Sequence, residues 1–183
     1  MHLAHRGRRN GGFTLVELLL VVTIVGILAS IAAAPLSRAR AASVEVATIG
    51  SLRMMNTAQA SFAASCGGGS YAPSLVWLTT PPTGAQDAFL GPAMTADAFD
   101  RQGYRIRFTA GMPVPSAAKS CNGLAAGHAV ESYFIAADPL QSGNGVQMRY
   151  FGTSSGATIF QSTARVRAYY GGSAVAPAKP IQQ

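Results

Sequence analysis

The stretch Gly11-Gly12-Phe13-Thr14-Leu15-Val16-Glu17 joins a basic N-terminal leader to a long apolar run. Between residues 13 and 34 the only charged side chain is Glu17. As a helix this run would extend about 33 Å, which matches the apolar core of one bilayer. An acidic side chain inside a membrane costs roughly 2.5 to 3.5 kcal/mol, so Glu17 predicts a function and a positively charged partner.

These residues resemble the processing site of bacterial type IV pilins and type II secretion pseudopilins. In that family a prepilin peptidase cleaves after a glycine, phenylalanine usually follows, and a glutamate stands four positions later. Gly12, Phe13 and Glu17 occupy these positions. The resemblance implies cleavage between Gly12 and Phe13, N-methylation of Phe13, and pairing of Glu17 with the terminal amine of a neighbouring subunit during assembly. Because both charges lose hydration, the pair is expected to fix register more than to add net stability.

The resemblance also implies an α+β fold, with a long N-terminal α-helix packed on a small antiparallel β-sheet head. The expected product is a structural, non-enzymatic subunit of a type IV pilus-like filament, without a cofactor. Its implied partners are other copies in a helical filament, prepilin peptidase, and the inner-membrane assembly platform with its ATPase machinery. Alternatives are a pseudopilin that drives type II protein export and a minor pilin that binds DNA for uptake.

The implied location is a single-pass precursor in the inner membrane with its head in the periplasm, followed by an extracellular pilus or a periplasmic pseudopilus. An ordinary secretory signal peptide is a competing interpretation, with Arg6, Arg8 and Arg9 before the apolar run and cleavage near residues 30–34. That interpretation leaves Glu17 unexplained. A plain single-span anchor is a further alternative.

Length and charge bound the remainder of the chain. A chain of 183 residues has room for one membrane helix and one modest head. The formal charge is +7, and after the leader the side chains still include 11 basic and 7 acidic groups. Charged residues form only 11% of the chain, which suits a surface assembly better than a cytosolic enzyme. No phosphate loop, serine elbow or paired-carboxylate motif indicates catalysis.

We expect a leader at residues 1–12, a membrane and filament-core helix at 13–34, and an amphipathic continuation at 35–65. Gly26 and Pro35 are the expected helix breakers. After Pro35, apolar residues recur every three or four positions, whereas Glu45 and Gln59 fall on other faces. The apolar positions are Val46, Ile49, Leu52, Met55, Ala58 and Phe62. The glycines after Cys66 predict the helix end.

The head is expected at residues 66–170. Residues 67–102 are interpreted as a connecting loop with one short helix. Alternation from Tyr104 to Phe108 predicts a strand with Arg105 and Arg107 on the face opposite the aromatic residues. Further strands are predicted at 131–137, 146–151 and 157–161, an edge strand at 164–170, and a flexible tail at 171–183.

Cys66 and Cys121 are the only cysteines. In the periplasm that the resemblance implies, a disulfide between them is the leading interpretation, and two free thiols or a metal pair are the alternatives. No standard zinc spacing is present, so no metal is predicted, although Asp97 and Asp100 could contribute to a calcium site.

A basic surface would be the sign of nucleic-acid binding. Arg105 and Arg107 share a strand face, and Arg165 and Arg167, together with Arg149, could extend it. The arginine-x-arginine pattern at Arg165 and Arg167 resembles an element of DNA-binding minor pilins. Solvated strand faces are the simpler interpretation of such pairs.

Overall fold

The computed structural model describes residues 12–140, 148–167 and 178–181. The chain divides into two compact units, Met1–Ala39 and Arg40–Gln183. Helix α1, Leu15–Ser65, begins in the first unit and ends in the second. The second unit adds a short helix α2, Leu75–Leu78, and an antiparallel sheet. The α+β class, with its long N-terminal helix and antiparallel sheet, is therefore confirmed.

In the first unit, α1 exposes large apolar side chains on consecutive positions. Between Phe13 and Ile31 their exposed fractions range from 48% at Val21 to 80% at Leu15. Such a surface is unfavourable in water, because burial of apolar area is the main stabilising term in folding. This segment therefore requires lipid or other apolar helices around it.

The sheet of the second unit is a simple meander. Its six strands lie in chain order, and each pairs antiparallel with the next. The strands are β1 Ala98–Arg101, β2 Tyr104–Ala110, β3 Tyr133–Pro139, β4 Tyr150–Ser154, β5 Ile159–Ser162 and β6 Lys179–Pro180. Sequential hairpins need no crossover, so each strand pairs with a neighbour formed by nearby sequence.

One face of this sheet packs against α1. Leu52, Met55 and Phe62 on the helix are fully buried. From the sheet, alternate residues of β2 and β3 supply much of the opposing layer: Tyr104, Ile106, Phe108, Tyr133, Ile135 and Ala137. As predicted, Arg105 and Arg107 lie on the other face of β2. The helix ends where glycines begin, with the Gly69 amide bonded to Ala63 O at 2.9 Å.

The predicted apolar stripe is confirmed at Leu52, Met55, Ala58 and Phe62, which are buried, but the prediction is wrong at other positions of the helix. Val46 is exposed, whereas Glu45 and Gln59 are buried. The Gln59 amide donates to Ala72 O at 3.0 Å and accepts from Ala72 N at 2.9 Å. Polar side chains can occupy the buried face because the loop and sheet offer them hydrogen-bond partners, which a periodicity argument does not see.

The segment predicted to be a connecting loop contains a strand as well as helix α2. β1 pairs with β2 through a two-residue turn, with Arg101 opposite Tyr104. Gln102 and Gly103 both adopt positive φ, at 51° and 80°. A two-residue turn with positive φ at both positions matches the twist of paired strands, and glycine adopts positive φ without steric cost. The prediction of a loop was wrong at these residues, because Gln-Gly is a weaker hairpin signal than Asn-Gly.

The predicted edge strand at 164–170 is not formed in its described part, residues 164–167. Instead Val166 is buried in a small cluster with Phe134 and Ala136 on the sheet face away from α1. Gly152 makes room for it, because a Cβ there would lie 2.8 Å from Val166 Cγ1 and 2.9 Å from Phe134 Cζ. The outer face of β3 and β4 is thus covered locally.

Replacing Gly152 with alanine is expected to destabilise the head by about 1 to 3 kcal/mol, because the added methyl group overpacks this cluster. Thermal unfolding of the full chain in detergent would measure the loss. Adding Val166→Ala should recover part of it by removing one of the two clashes. An alanine variant as stable as the original protein would contradict this packing.

Within the predicted tail, residues 171–177 and 182–183 lie outside the described residues, but Lys179–Pro180 form β6. Phe160 pairs with Pro180, and the Ile181 amide donates to Ile159 O at 2.9 Å. The side chain of Ile181 also packs against the core. This short strand takes the edge position that had been expected for 164–170.

The other predicted strands shift by a few residues. β3 begins at Tyr133 instead of residue 131, and β5 begins at Ile159 because Ala157, at φ 58°, belongs to the preceding turn. β4 begins at Tyr150, and the residues 146–147 of that predicted strand lie outside the described part.

Candidate functional site

The start of α1 positions Glu17. Thr14 Oγ1 accepts a hydrogen bond from Glu17 N at 3.3 Å and donates to Glu17 Oε2 at 3.4 Å. A threonine before the first helical turn satisfies an amide that has no partner within the helix, and its hydroxyl in turn donates to the glutamate three residues later. Thr14 was missed as a site residue, although the Thr-x-x-Glu spacing is its sequence signal.

The carboxylate of Glu17 stands among exposed apolar side chains. Val16 and Leu18 beside it are 74% and 61% exposed, and no acid or base other than Glu17 occurs between residues 12 and 31. A charge in this setting is stabilised only by a group brought from outside the segment. The geometry therefore allows Glu17 to accept a cationic partner from another molecule.

The proposed cleavage site lies directly before this helix. Gly12 and Phe13 precede α1, lie in no helix or strand, and are exposed. Pro35 lies inside α1, and a Cβ on Gly26 would meet no atom within 4 Å. By length and hydropathy, no single helix in the described chain qualifies as a membrane span, whereas Leu15–Ile31 and Pro35–Ser65 qualify together as a bent pair.

In the head, three hydrogen bonds join Glu45 of α1 to Arg149, which lies just before β4. Glu45 is buried and accepts from Arg149 N at 2.9 Å, from Nε at 2.9 Å and from Nη2 at 2.5 Å. Hydrogen bonding to Glu45 raises the pKa of Arg149. No local sequence signal predicts this pair, because its members are 104 residues apart.

Two buried tyrosines add hydrogen bonds between the sheet and its neighbours. Tyr104 donates to Arg149 O at 2.7 Å, and Tyr133 donates to Asn56 Oδ1 at 3.0 Å. Burial raises the pKa of both phenols, so each remains protonated and able to donate. These contacts hold α1 on the sheet and leave no free nucleophile among them.

The arginines considered for nucleic-acid contact are mostly engaged by acids. Arg105 pairs with Asp100, whose pKa this hydrogen bond lowers. Arg107 and Arg165 both bind the buried carboxylate of Asp138, the latter at 3.1 Å. In the described chain Arg167 is exposed and has no acidic partner. The structure therefore brings Arg105, Arg107 and Arg165 together, but with the carboxylates of Asp100 and Asp138 among them.

Both acids considered for calcium have hydrogen-bond partners within the head. Asp97 Oδ1 accepts from Leu75 N at 2.8 Å, and Asp100 is paired with Arg105. Within the described residues no group of three or more His, Cys, Asp or Glu side chains could hold a metal ion. Cys66 and Cys121 form a disulfide, with their Cα atoms 4.9 Å apart.

Comparison with known families identifies the N-terminal segment. A family model described as the prokaryotic N-terminal methylation motif matches residues 7–33. This motif is the signature of type IV pilins and pseudopilins, and it fits a membrane-anchored precursor. Neither the curated proteins nor the solved structures compared with the chain give a match. The motif covers Gly12, Phe13, Glu17 and Gly26 and ends before Pro35.

Proposed function

We propose that this chain is the structural subunit of a type IV pilus-like filament, made as an inner-membrane precursor and assembled by packing of its N-terminal helices. Prepilin peptidase would cleave after Gly12 and methylate Phe13. The head would remain in the periplasm until an assembly platform and its ATPase move the subunit into the filament. The observation that carries the proposal is the methylation motif at residues 7–33, which contains the proposed cleavage site and Glu17.

The geometry of α1 supports this assignment. The segment Phe13 to Ile31 exposes apolar side chains on consecutive positions, which a lipid bilayer and a bundle of like helices can both cover. Thr14 is hydrogen-bonded to Glu17 in the first turn of α1. In the proposed filament the Glu17 carboxylate would pair with the amine that cleavage creates at Phe13 of a neighbouring subunit. The head contributes a folded outer surface built on the remainder of the helix.

A pseudopilin of a type II secretion system would use the same processing site and the same helix. The two functions differ in the location of the filament, which is outside the cell for a pilus and in the periplasm for a pseudopilus. A subunit recovered in sheared extracellular filaments supports the pilus, whereas one confined to short periplasmic fibres supports the pseudopilus.

Replacing Gly12 with alanine is expected to cause accumulation of the full-length precursor, because the peptidase recognises glycine at this position. The expected change is nearly complete, and intact mass or gel mobility of the membrane-bound protein would show it. A Cβ at Gly12 meets no atom within 4 Å, so the change does not disturb the fold. The neighbouring Gly11→Ala is the matched control and should still be cleaved. Normal processing of Gly12→Ala would remove the assigned cleavage site.

A further inference from the structure

Two exposed arginines stand shortly after the apolar run of α1. The run ends at residue 34, and Arg38 and Arg40 follow it within two helical turns. Both lie inside α1, and both are exposed. Neither belongs to any of the ion pairs that the described part of the chain forms. We refer to Arg38 and Arg40 as the boundary arginines.

The helix offers the boundary arginines no acid of its own. Residues 18–44 contain neither Asp nor Glu. Glu17 lies at the far end of the apolar run, and Glu45 is buried and bonded to Arg149. The positive charges of the boundary arginines are therefore available to a ligand from outside the chain.

The position of the boundary arginines along the helix corresponds to the depth of lipid phosphates. A helix over residues 13–34 crosses the hydrocarbon core of about 30 Å, and the polar headgroup layer adds roughly 5 to 7 Å on each side. At the helical rise, Arg38 and Arg40 lie about 6 and 9 Å beyond residue 34. Because an arginine side chain can extend along the helix towards the interface, both guanidinium groups can lie among the phosphates.

The two boundary arginines point in nearly opposite directions. At 3.6 residues per turn, positions two residues apart differ by about 200° around the helix axis. A protein packed on one face of the helix would contact one arginine and leave the other without a partner. Lipids surround a single membrane helix on every side, so each arginine can bind a different lipid. This arrangement favours a lipid layer over a protein or a nucleic acid as the ligand.

We propose that Arg38 and Arg40 bind the phosphate groups of anionic phospholipids, in the leaflet on the head side of the membrane. A guanidinium can donate two parallel hydrogen bonds to the oxygens of one phosphate. Phosphatidylglycerol carries a net negative charge that attracts the arginine, whereas the choline cation of phosphatidylcholine compensates its phosphate. The contact holds the precursor at a fixed depth until the subunit leaves the bilayer. This inference rests on the proposed membrane precursor and adds a lipid ligand to it.

The test is native mass spectrometry of the full chain released from nanodiscs that contain phosphatidylglycerol and phosphatidylcholine in equal amounts. One arginine near an anionic surface contributes roughly fivefold in affinity, so the unaltered chain should retain mainly phosphatidylglycerol. In Arg38→Gln/Arg40→Gln the ratio of bound phosphatidylglycerol to phosphatidylcholine should fall by at least about threefold. The arginines of the leader are present in both proteins and cannot cause this difference.

Two further variants separate the site from a general effect of charge. Arg53→Gln/Lys119→Gln is the matched control, because it removes the same charge from exposed positions of the head. It should keep the lipid preference of the unaltered chain. Arg38→Lys/Arg40→Lys keeps both charges at the boundary and should retain most of the preference.

An unchanged lipid ratio in Arg38→Gln/Arg40→Gln would overturn the inference, and so would an equal fall in the head control. Displacement of bound phosphatidylglycerol by inorganic phosphate would also overturn it, because it would show a site for any small anion. If the unaltered chain inserts into membranes without a lipid preference, this inference alone is rejected. If the unaltered chain is recovered in the soluble fraction instead of the membrane, the proposed function is rejected.

Discussion

Replacing Glu17 with alanine is expected to abolish filaments while leaving cleavage after Gly12 intact. The substitution leaves the terminal amine of the neighbouring subunit without its partner in an apolar setting, which costs about 3 to 5 kcal/mol for a buried pair. Repeated at each subunit contact, that cost should prevent assembly. Electron microscopy of sheared filaments and intact mass of the membrane fraction give the two readouts.

Asp87→Ala is a suitable control for this experiment, since Asp87 is an exposed acid with no partner in the described chain. It should leave filaments unchanged. The assigned role of Glu17 would be wrong if Glu17→Ala produced normal filaments. Failure of the Glu17 variant to be cleaved would place the residue in processing instead of assembly.

Loss of the Cys66–Cys121 disulfide is expected to produce the largest loss of head stability. The bond closes a loop with a sequence separation of 55 residues. In the chain-entropy model, opening such a loop costs about 4 kcal/mol, which corresponds to a fall in Tm of roughly 8 to 16 °C. Thermal unfolding of Cys66→Ser/Cys121→Ser in detergent measures the effect.

A reductant provides the matched test on the unaltered chain. It should lower the Tm of the original protein to that of the double variant and leave the variant unchanged. The loop has other contacts, including Asn122 Nδ2 to Trp77 O at 2.6 Å and Thr83 N to Cys121 O at 3.0 Å. If these contacts alone hold the loop in place, the double variant will have the same Tm as the original protein and the prediction will be wrong.

Features encoded by local sequence were predictable. The methylation motif and the apolar helix depend on residues within one short segment. Alternation from Tyr104 to Phe108 correctly assigned the core face of β2. The helix end followed from the glycines after Cys66. In each case the physical cause lies within a few residues of the element that it determines.

Features that depend on distant partners were not predictable. Glu45 is buried because Arg149 lies 104 positions later in sequence but beside it in space. Val166 covers the sheet because Gly152 lacks a side chain, and β6 forms because β5 has an edge to pair with. Local propensity carries no information about such contacts, so it assigned an edge strand and a tail instead.

The basic residues of the head illustrate both kinds of information. The sequence shows an excess of basic residues but not which of them are neutralised. The structure pairs Arg105, Arg107 and Arg149 with acids. It leaves Arg53 and Lys179 exposed, and neither has an acidic partner among the described residues. Pairing, and not the number of arginines, determines where a basic surface remains available.

We propose that the mature chain keeps the entire apolar helix after removal of the leader. Mass spectrometry of the protein purified from membranes or filaments would identify its N-terminal residue. We predict an N-terminal peptide that begins with methylated Phe13 and contains Glu17. A mature N-terminus near Ala33 or Pro35 would contradict the account, because signal-peptide cleavage there would remove the helix on which filament assembly depends.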